Sequence, residues 1–300
     1  MYEKILVPLD GSELAELALP YAEELAGRLG SEINLLAVSR SAETESYHEH
    51  LIYIERMVEP TKRGAERYRK KPYEGAIKVD SVVLVGHPAE EIVDYADKAD
   101  IDLIVMATHG RSGIRRWALG SVADKVVRAT KRPVALIRAK DARSDVREKG
   151  ILNKALVLLD GSKEGEAVIP YIEELASKLK TEVALLQVVA RVCHVYTAGE
   201  GAAQIPYSEE EMEPLKAGAK DYLEKVVTEL KDKDITTRSE VRVGDAAEES
   251  VKFADEINAD VVVMTTHGRS GISRWALGSV ASKVVHAGNT PLLLVRAPER

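Results

Sequence analysis

Apolar residues fall along this chain in two alternating rhythms. Ile5–Leu9 is an unbroken apolar run, the pattern of a strand buried on both faces, and Ile33–Val38 reads as a second buried strand. Between them, Ser12–Leu29 carries apolar residues at helical spacing, with Ser12 or Asp10 as N-cap and Gly30 as the stop. Ala76–Val85 alternates, Pro88–Asp97 is helical and Leu103–Ala107 is a short apolar run; Leu119–Ala129 is helical and Val134–Ile137 forms a last strand. The second half follows suit, with strands near 155–159, 183–188, 237–243, 261–265 and 292–295. The middles, 39–75 and 190–234, are the least regular: Glu209–Leu230 reads as a long amphipathic helix, whereas Pro60, Gly64 and Pro72 leave room only for a helix near 56–71. Strand and helix in alternation imply βαβ units and a parallel sheet covered on both faces.

The two halves are copies. THGRSGIRRWALGSVADKVV (108–127) recurs at 266–285 with 18 of 20 positions identical. ILVPLDGS (5–12) matches ALVLLDGS (155–162), and LPYAEELA (19–26) matches IPYIEELA (169–176). The offset grows from 150 to 158, so the second copy carries eight extra residues in its middle. KDARSDVREK (140–149), with seven charged residues in ten, reads as a solvated linker. The expected organisation is domain 1 at 1–139, linker at 140–150 and domain 2 at 151–300. The expected fold class is α/β, with two doubly wound, Rossmann-like parallel five-stranded sheets, one per repeat. The last strands, PVALIR (133–138) and PLLLVR (291–296), are apolar and expected at sheet edges, which invite pairing.

Composition narrows the function classes. At 300 residues, 45% hydrophobic and 30% charged, the chain has an ordinary globular balance. A net charge of −7 lacks the basic excess of a nucleic-acid binder. No run of 18 apolar residues predicts a membrane span, and MYEKILVPLD does not resemble a signal peptide. The lone Cys193 rules out an internal disulfide and fits a reducing, cytoplasmic setting.

In an open parallel sheet, ligands bind beyond the carboxyl ends of strands, where strand order reverses. Two repeated segments sit at such ends: Pro8-Leu9-Asp10-Gly11-Ser12 and Met106-Ala107-Thr108-His109-Gly110, matched by 158–162 and by Met264-Thr265-Thr266-His267-Gly268. The second loop suits phosphate. Gly110 and Gly113 let backbone amides approach an anion, Arg111 can fork onto its oxygens and Ser112 offers a hydroxyl. Gly120-Ser121-Val122 then opens a helix whose free N–H groups attract negative charge. That dipole contributes about 0.3–2 kcal/mol, and hydrogen bonds to charged groups roughly 1.5–3 kcal/mol each. Several together support micromolar affinity, about −8 kcal/mol. Arg269, Ser270, Gly271, Gly278, Ser279 and Val280 repeat the set.

These residues carry a family resemblance. The strand with Asp-Gly-Ser, the THGRSG loop, the LGSVA helix start and the final strand resemble universal stress protein domains, over nearly all of both copies. The nucleotide-binding branch has Gly, two residues, Gly, nine residues, Gly, then Ser or Thr. Here Gly110 and Gly268 match the second Gly, Gly120 and Gly278 the third, and Ser121 and Ser279 the hydroxyl residue, while Ala107 and Thr265 stand where the first Gly would be. Thr265 crowds the strand end more, and Leu158 replaces Pro8, so copy one keeps more of the pattern. The resemblance implies an adenine nucleotide-binding type of fold taking ATP, ADP or AMP in each copy. Asp10 and Asp160, with backbone at Val38 and Val188, would lie near adenine and ribose. Triphosphate would lie over the glycines, with Mg2+ on the phosphates. It also implies pairing of the two copies through their last strands, leaving room for a further dimer of chains, and a role as a nucleotide-dependent stress-response sensor.

Plainer roles compete. Asp10 and Asp160 can serve as helix caps, and His109 and His267 suit a hydrogen bond fixing the loop better than catalysis. Trp117 and Trp275 suit packing, and Arg115-Arg116 fits a solvated helix face as well as phosphate. His48 and His50, in ESYHEH, mark a solvated stretch more than a metal site, and Cys193-His194 a filler. There is no P-loop with a phosphate lysine, no GxSxG elbow and no HExxH, so no catalytic residue is assigned. The rival classes are a slow ATPase and a nucleotide-free interaction module.

Overall fold

A computed structural model describes residues 1–43, 45–69, 75–109, 119–138, 152–191, 193–198, 201–268 and 277–297, with the strands in 193–206 described by backbone alone. The linker, Gly110–Gly113, Arg115-Arg116, Trp117, Arg269–Gly271 and Trp275 lie outside the described residues.

The chain is α/β, as its rhythm predicts. Repeat one contains β1 (Lys4–Pro8), α1 (Glu13–Glu16), α2 (Leu19–Leu29), β2 (Glu32–Ser39), α3 (Glu45–Arg67), β3 (Val79–Val85), α4 (Pro88–Lys98), β4 (Leu103–Ala107), α5 (Ser121–Ala129) and β5 (Val134–Ile137). Repeat two contains β6 (Lys154–Leu158), a 3-10 turn (Gly165–Val168), α6 (Ile169–Leu179), β7 (Glu182–Val189), β8 (Cys193–Ala198), β9 (Gly201–Pro206) and α7 (Glu209–Lys231). It closes with β10 (Thr237–Val243), α8 (Ala246–Glu256), β11 (Val261–Thr265), α9 (Ser279–Ala287) and β12 (Leu292–Val295). Within each repeat the strands are parallel, ordered β3-β2-β1-β4-β5 and β10-β7-β6-β11-β12. The order reverses between β1 and β4, and between β6 and β11, which sets the ligand-binding crevice of such a sheet.

The two five-stranded halves run together as one ten-stranded sheet. β12 lies antiparallel to β5, pairing Leu292 with Leu136, Leu293 with Ala135 and Leu294 with Val134. Each face of the sheet carries one apolar cluster drawn from both repeats: Val7, Val105 and Ile137 share a face with Val157, Val263 and Leu293, and Leu6, Ile104 and Leu136 share the other with Leu156, Val262 and Leu294.

Polar groups fasten this seam reciprocally. Arg138 follows β5 and donates from Nη2 to the Val284 carbonyl near the end of α9, at 2.9 Å. Arg296 follows β12 and donates from Nη1 to the Arg128 and Thr130 carbonyls at the end of α5, at 3.3 and 3.2 Å. Each arginine thus caps the C-terminus of the other repeat's helix, where positive charge is favoured. The Tyr2 hydroxyl donates to the Tyr171 carbonyl at 3.2 Å, and Arg28 donates to the Leu179 carbonyl.

Two expected elements are corrected. Ser12–Leu29 is not one helix: it breaks at Leu17-Ala18, because Pro20 has no N–H for the preceding turn and its ring crowds that turn's carbonyl. Pro170 enforces the same break before α6. Conversely, α3 starts at Glu45, well before 56, and runs through Pro60. Gly64 is not a stop; a Cβ there would lie 2.1 Å from the Glu23 carboxyl carbon, so the glycine lets α2 and α3 approach closely. The segment 190–208 also holds a hairpin, β8 paired antiparallel with β9.

Arg138→Ala and Arg296→Ala are each expected to cost about 1.5–3 kcal/mol, the range for hydrogen bonds to charged groups. Denaturant midpoints at unchanged slope would measure this, and a lysine at either position, lacking the guanidinium fork, is expected to recover only part of the loss. Wild-type midpoints for both alanine variants would show that the seam does not depend on these contacts.

Candidate functional site

The Asp-Gly-Ser turn after β1 is built from its own side chains. Gly11 adopts φ 79°, a left-handed conformation that favours glycine. Asp10 Oδ1 accepts from the Ser12 amide at 3.0 Å and from its hydroxyl at 2.6 Å. Ser12 Oγ in turn accepts from the Ala15 amide at 3.2 Å, making Ser12 the N-cap of α1. Asp10 therefore orients the cap rather than being it. Asp160 and Ser162 repeat this arrangement, with Gly161 at φ 76°.

The second segment leaves β4 and returns at α5. The Gly120 amide donates to the Thr108 carbonyl at 2.8 Å, closing the intervening loop at its base. A Cβ on Gly120 would lie 2.8 Å from that carbonyl oxygen, so the close approach itself requires glycine. At their starts, α5 and α9 have glycine N-caps, Gly120 and Gly278, with no side-chain cap among the described residues, whereas Asp245 caps α8 and a Ser208–Glu211 capping box opens α7. The first amides of α5 are thus open to an anion. His109 Nδ1 lies 3.1 Å from Thr108 Oγ1, a bond that fixes the ring, and its Nε2 is buried without a partner among the described residues.

These pieces meet in a cavity of about 560 Å³ over the carboxyl ends of β1, β2 and β4. Pro8, Asp10, Val38, Met106, Ala107, His109, Gly120, Ser121 and Val122 all line it, which is every described candidate of copy one. Its floor and far wall are apolar, from Leu36, Val38, Met106 and Ile92, while Gly120–Val122 supply polar backbone. A cleft of that size, mostly apolar with a few convergent polar groups, suits a small organic ligand.

Sequence reasoning missed part of the wall. His50, read as belonging to a solvated stretch, is 7% exposed and lines the cavity with Ser46, while His48 is exposed. The helical period of α3 holds the missing signal, because His50 and Ile54 fall on one face.

In the second repeat a cavity of about 520 Å³ is lined by residues after β7 and β10 and at the starts of α8 and α9, where Ser279 and Val280 meet Arg191, Asp245, Glu248 and Lys283. Asp160, Val188, Met264, Thr265, His267, Gly268 and Gly278 do not line it. Asp160 packs against Gly268, where a Cβ would lie 2.3 Å from its Oδ2. Thr265 does not simply crowd the strand end: its hydroxyl donates to the His267 carbonyl at 2.7 Å, a bond Ala107 cannot make. No group of three or more His, Cys, Asp or Glu side chains among the described residues is arranged to hold a metal. No helix among them is long and apolar enough to cross a membrane.

Fold and cavity together define a tandem doubly wound α/β protein with a ligand crevice where the strand order reverses. The family model described as the universal stress protein family matches residues 1–138 and 152–296, and the chain belongs to that family. A universal stress protein of Methanothermobacter thermautotrophicus is 35% identical over 145 residues, covering 46% of this chain and 97% of its own length. One from Synechocystis is 24% identical over 98% of this chain and 100% of its own length, so it shares the tandem arrangement. The crystal structure of a universal stress protein from Archaeoglobus fulgidus matches 99% of both chains, with a TM-score of 0.69 at 17% identity, a likeness of fold.

His267 gives a pH prediction. Burial lowers its imidazole below the ordinary value near 6.5, helped by the nearby charges of Arg296 and Arg128. As pH falls below about 6.5, the unfolded chain takes up this proton before the folded one does, so stability is lost. His267→Asn, which keeps a polar atom near Thr266 Oγ1, is expected to show a smaller fall in melting temperature between pH 7.5 and 5.5 than the wild type. Equal falls would remove His267 from the acid response.

Proposed function

We propose that this protein binds an adenine nucleotide, ATP or its di- or monophosphate, in the cavity of the first repeat and acts as a nucleotide-dependent regulator. The observation that carries this reading is the convergence of all nine described copy-one candidates on one cavity. The base and ribose lie against Leu36, Val38, Met106 and Asp10, and the phosphates against the uncapped start of α5 at Gly120–Val122. The open amides of α5 supply donors and a positive dipole end without moving, so phosphate binding needs little reorganisation. Mg2+ enters on the phosphates, whose charge it offsets, rather than on a protein cage. His109 Nε2, held in place by the Thr108 bond at Nδ1, offers a further hydrogen bond to ligand.

The first repeat is the principal site. Its described candidate residues meet in one cavity, which is the ground for placing the tight site there. The pairing of β5 with β12 holds the two repeats together in solution. Arg296 at the C-terminal end of α5 then couples the nucleotide-bearing helix to the second repeat. Regulation follows if the two arrangements of that seam bind nucleotide with different affinity, since a ligand shifts an equilibrium only by its differential affinity.

Titration calorimetry with Mg-ATP on the full chain is expected to give micromolar affinity and about one tight site per chain, the scale of about −8 kcal/mol for such a contact set. Ser121→Glu separates binding from folding. An acid at a helix start is favourable to the helix by about 0.3–1 kcal/mol, yet it repels phosphate. The variant is expected to melt no lower than wild type while losing at least about tenfold in affinity, or about 1.4 kcal/mol. Ser279→Glu is expected to leave the tight site intact. Wild-type binding by Ser121→Glu would refute phosphate placement at α5.

A further inference from the structure

We infer that His50 is the base-selecting residue of this cavity, a conclusion that rests on the nucleotide reading above. The buried residues of α3 are His50, Ile54, Thr61, Gly64 and Ala65, a single inward stripe in which His50 alone carries a ring with two polar atoms. It stands where the stripe leaves the core and passes over the cavity. Meanwhile Ile52, two residues on, is 70% exposed. The helix therefore turns an imidazole inward and an isoleucine outward, the reverse of what burial free energy alone selects.

Asp10, Ala15, Ser46 and His50 form one wall of the cavity, from α1, α3 and the turn after β1; Pro88 and Ile92 of α4 and Gly120–Ala123 of α5 form the other. With phosphates on α5, the nucleoside end of the ligand lies toward Asp10 and His50. An imidazole edge can hydrogen-bond a nucleobase edge or a ribose hydroxyl, and its face can stack on the base.

The crossover helix of repeat two, α7, carries no histidine: its buried residues are Met212, Ala219, Leu223, Val226, Val227 and Leu230.

The test is calorimetric binding of Mg-ATP, Mg-GTP and inorganic tripolyphosphate to the full-length wild type, His50→Ala and His50→Leu. The leucine keeps a buried apolar volume on the stripe and protects against failure of the alanine variant to fold. Expected are a loss of at least tenfold in ATP affinity, an ATP-to-GTP preference reduced toward unity and tripolyphosphate affinity within twofold of wild type. Wild type that binds ATP, with both the affinity and the preference retained in His50→Leu, would overturn the role of His50 and leave the nucleotide reading standing. Wild type that binds none of the three ligands would overturn both.

Discussion

The antiparallel contact between β5 and β12 is the constraint on which the rest of the molecule depends. A doubly wound half ends in an apolar edge strand whose N–H and C=O groups would otherwise be open to foreign strands. Joining the two edges removes both liabilities at once, and it makes each face of the sheet a single apolar cluster drawn from both repeats. The strands at the seam are four residues long, so their backbone bonds alone are few. Arg138 and Arg296 enlarge the contact by reaching across to helix ends of the other repeat.

That choice of acceptor has a consequence for the site. α5 spans nine residues, or ~13 Å at 1.5 Å per residue. One end carries the proposed phosphate contact and the other receives Arg296. An anion at the start and a cation at the end both complement the same peptide dipole. A ligand that fixes the first turn of α5 therefore acts on a helix that is also part of the seam. His267 extends the connection, since Arg128 from one repeat and Arg296 from the other both bear on its imidazole.

Much of this was legible in the amino-acid sequence. Strands buried on both faces, such as Leu103–Ala107, read as unbroken apolar runs because nothing polar is tolerated on either side. The start of α5 at Gly120-Ser121 was legible as well, whereas the need for glycine at 11 and 120 shows only in the fold, through a left-handed φ at one and the approach of the Thr108 carbonyl at the other. What escaped depends on tertiary packing. Pro60 and Gly64 read as interruptions, yet α3 runs through both: the proline is exposed on the helix surface, and the glycine lies where Glu23 presses in. His50 escaped for a related reason: ESYHEH is polar as a string, and only a helix beginning at Glu45 turns one of its histidines inward.

The near-identity of the two loop segments contrasts with the segments packed around them. Identical residues at Gly120-Ser121 and Gly278-Ser279 open identical helix starts, each without a side-chain cap. The cavity beside the first is closed by α3, which begins early enough to bring Ser46 and His50 over it. In the second repeat a β8–β9 hairpin precedes the crossover helix, which starts at Glu209. Because the turns are near-identical, the largest differences between the two repeats lie in the crossovers that follow β2 and β7, not in the loops themselves.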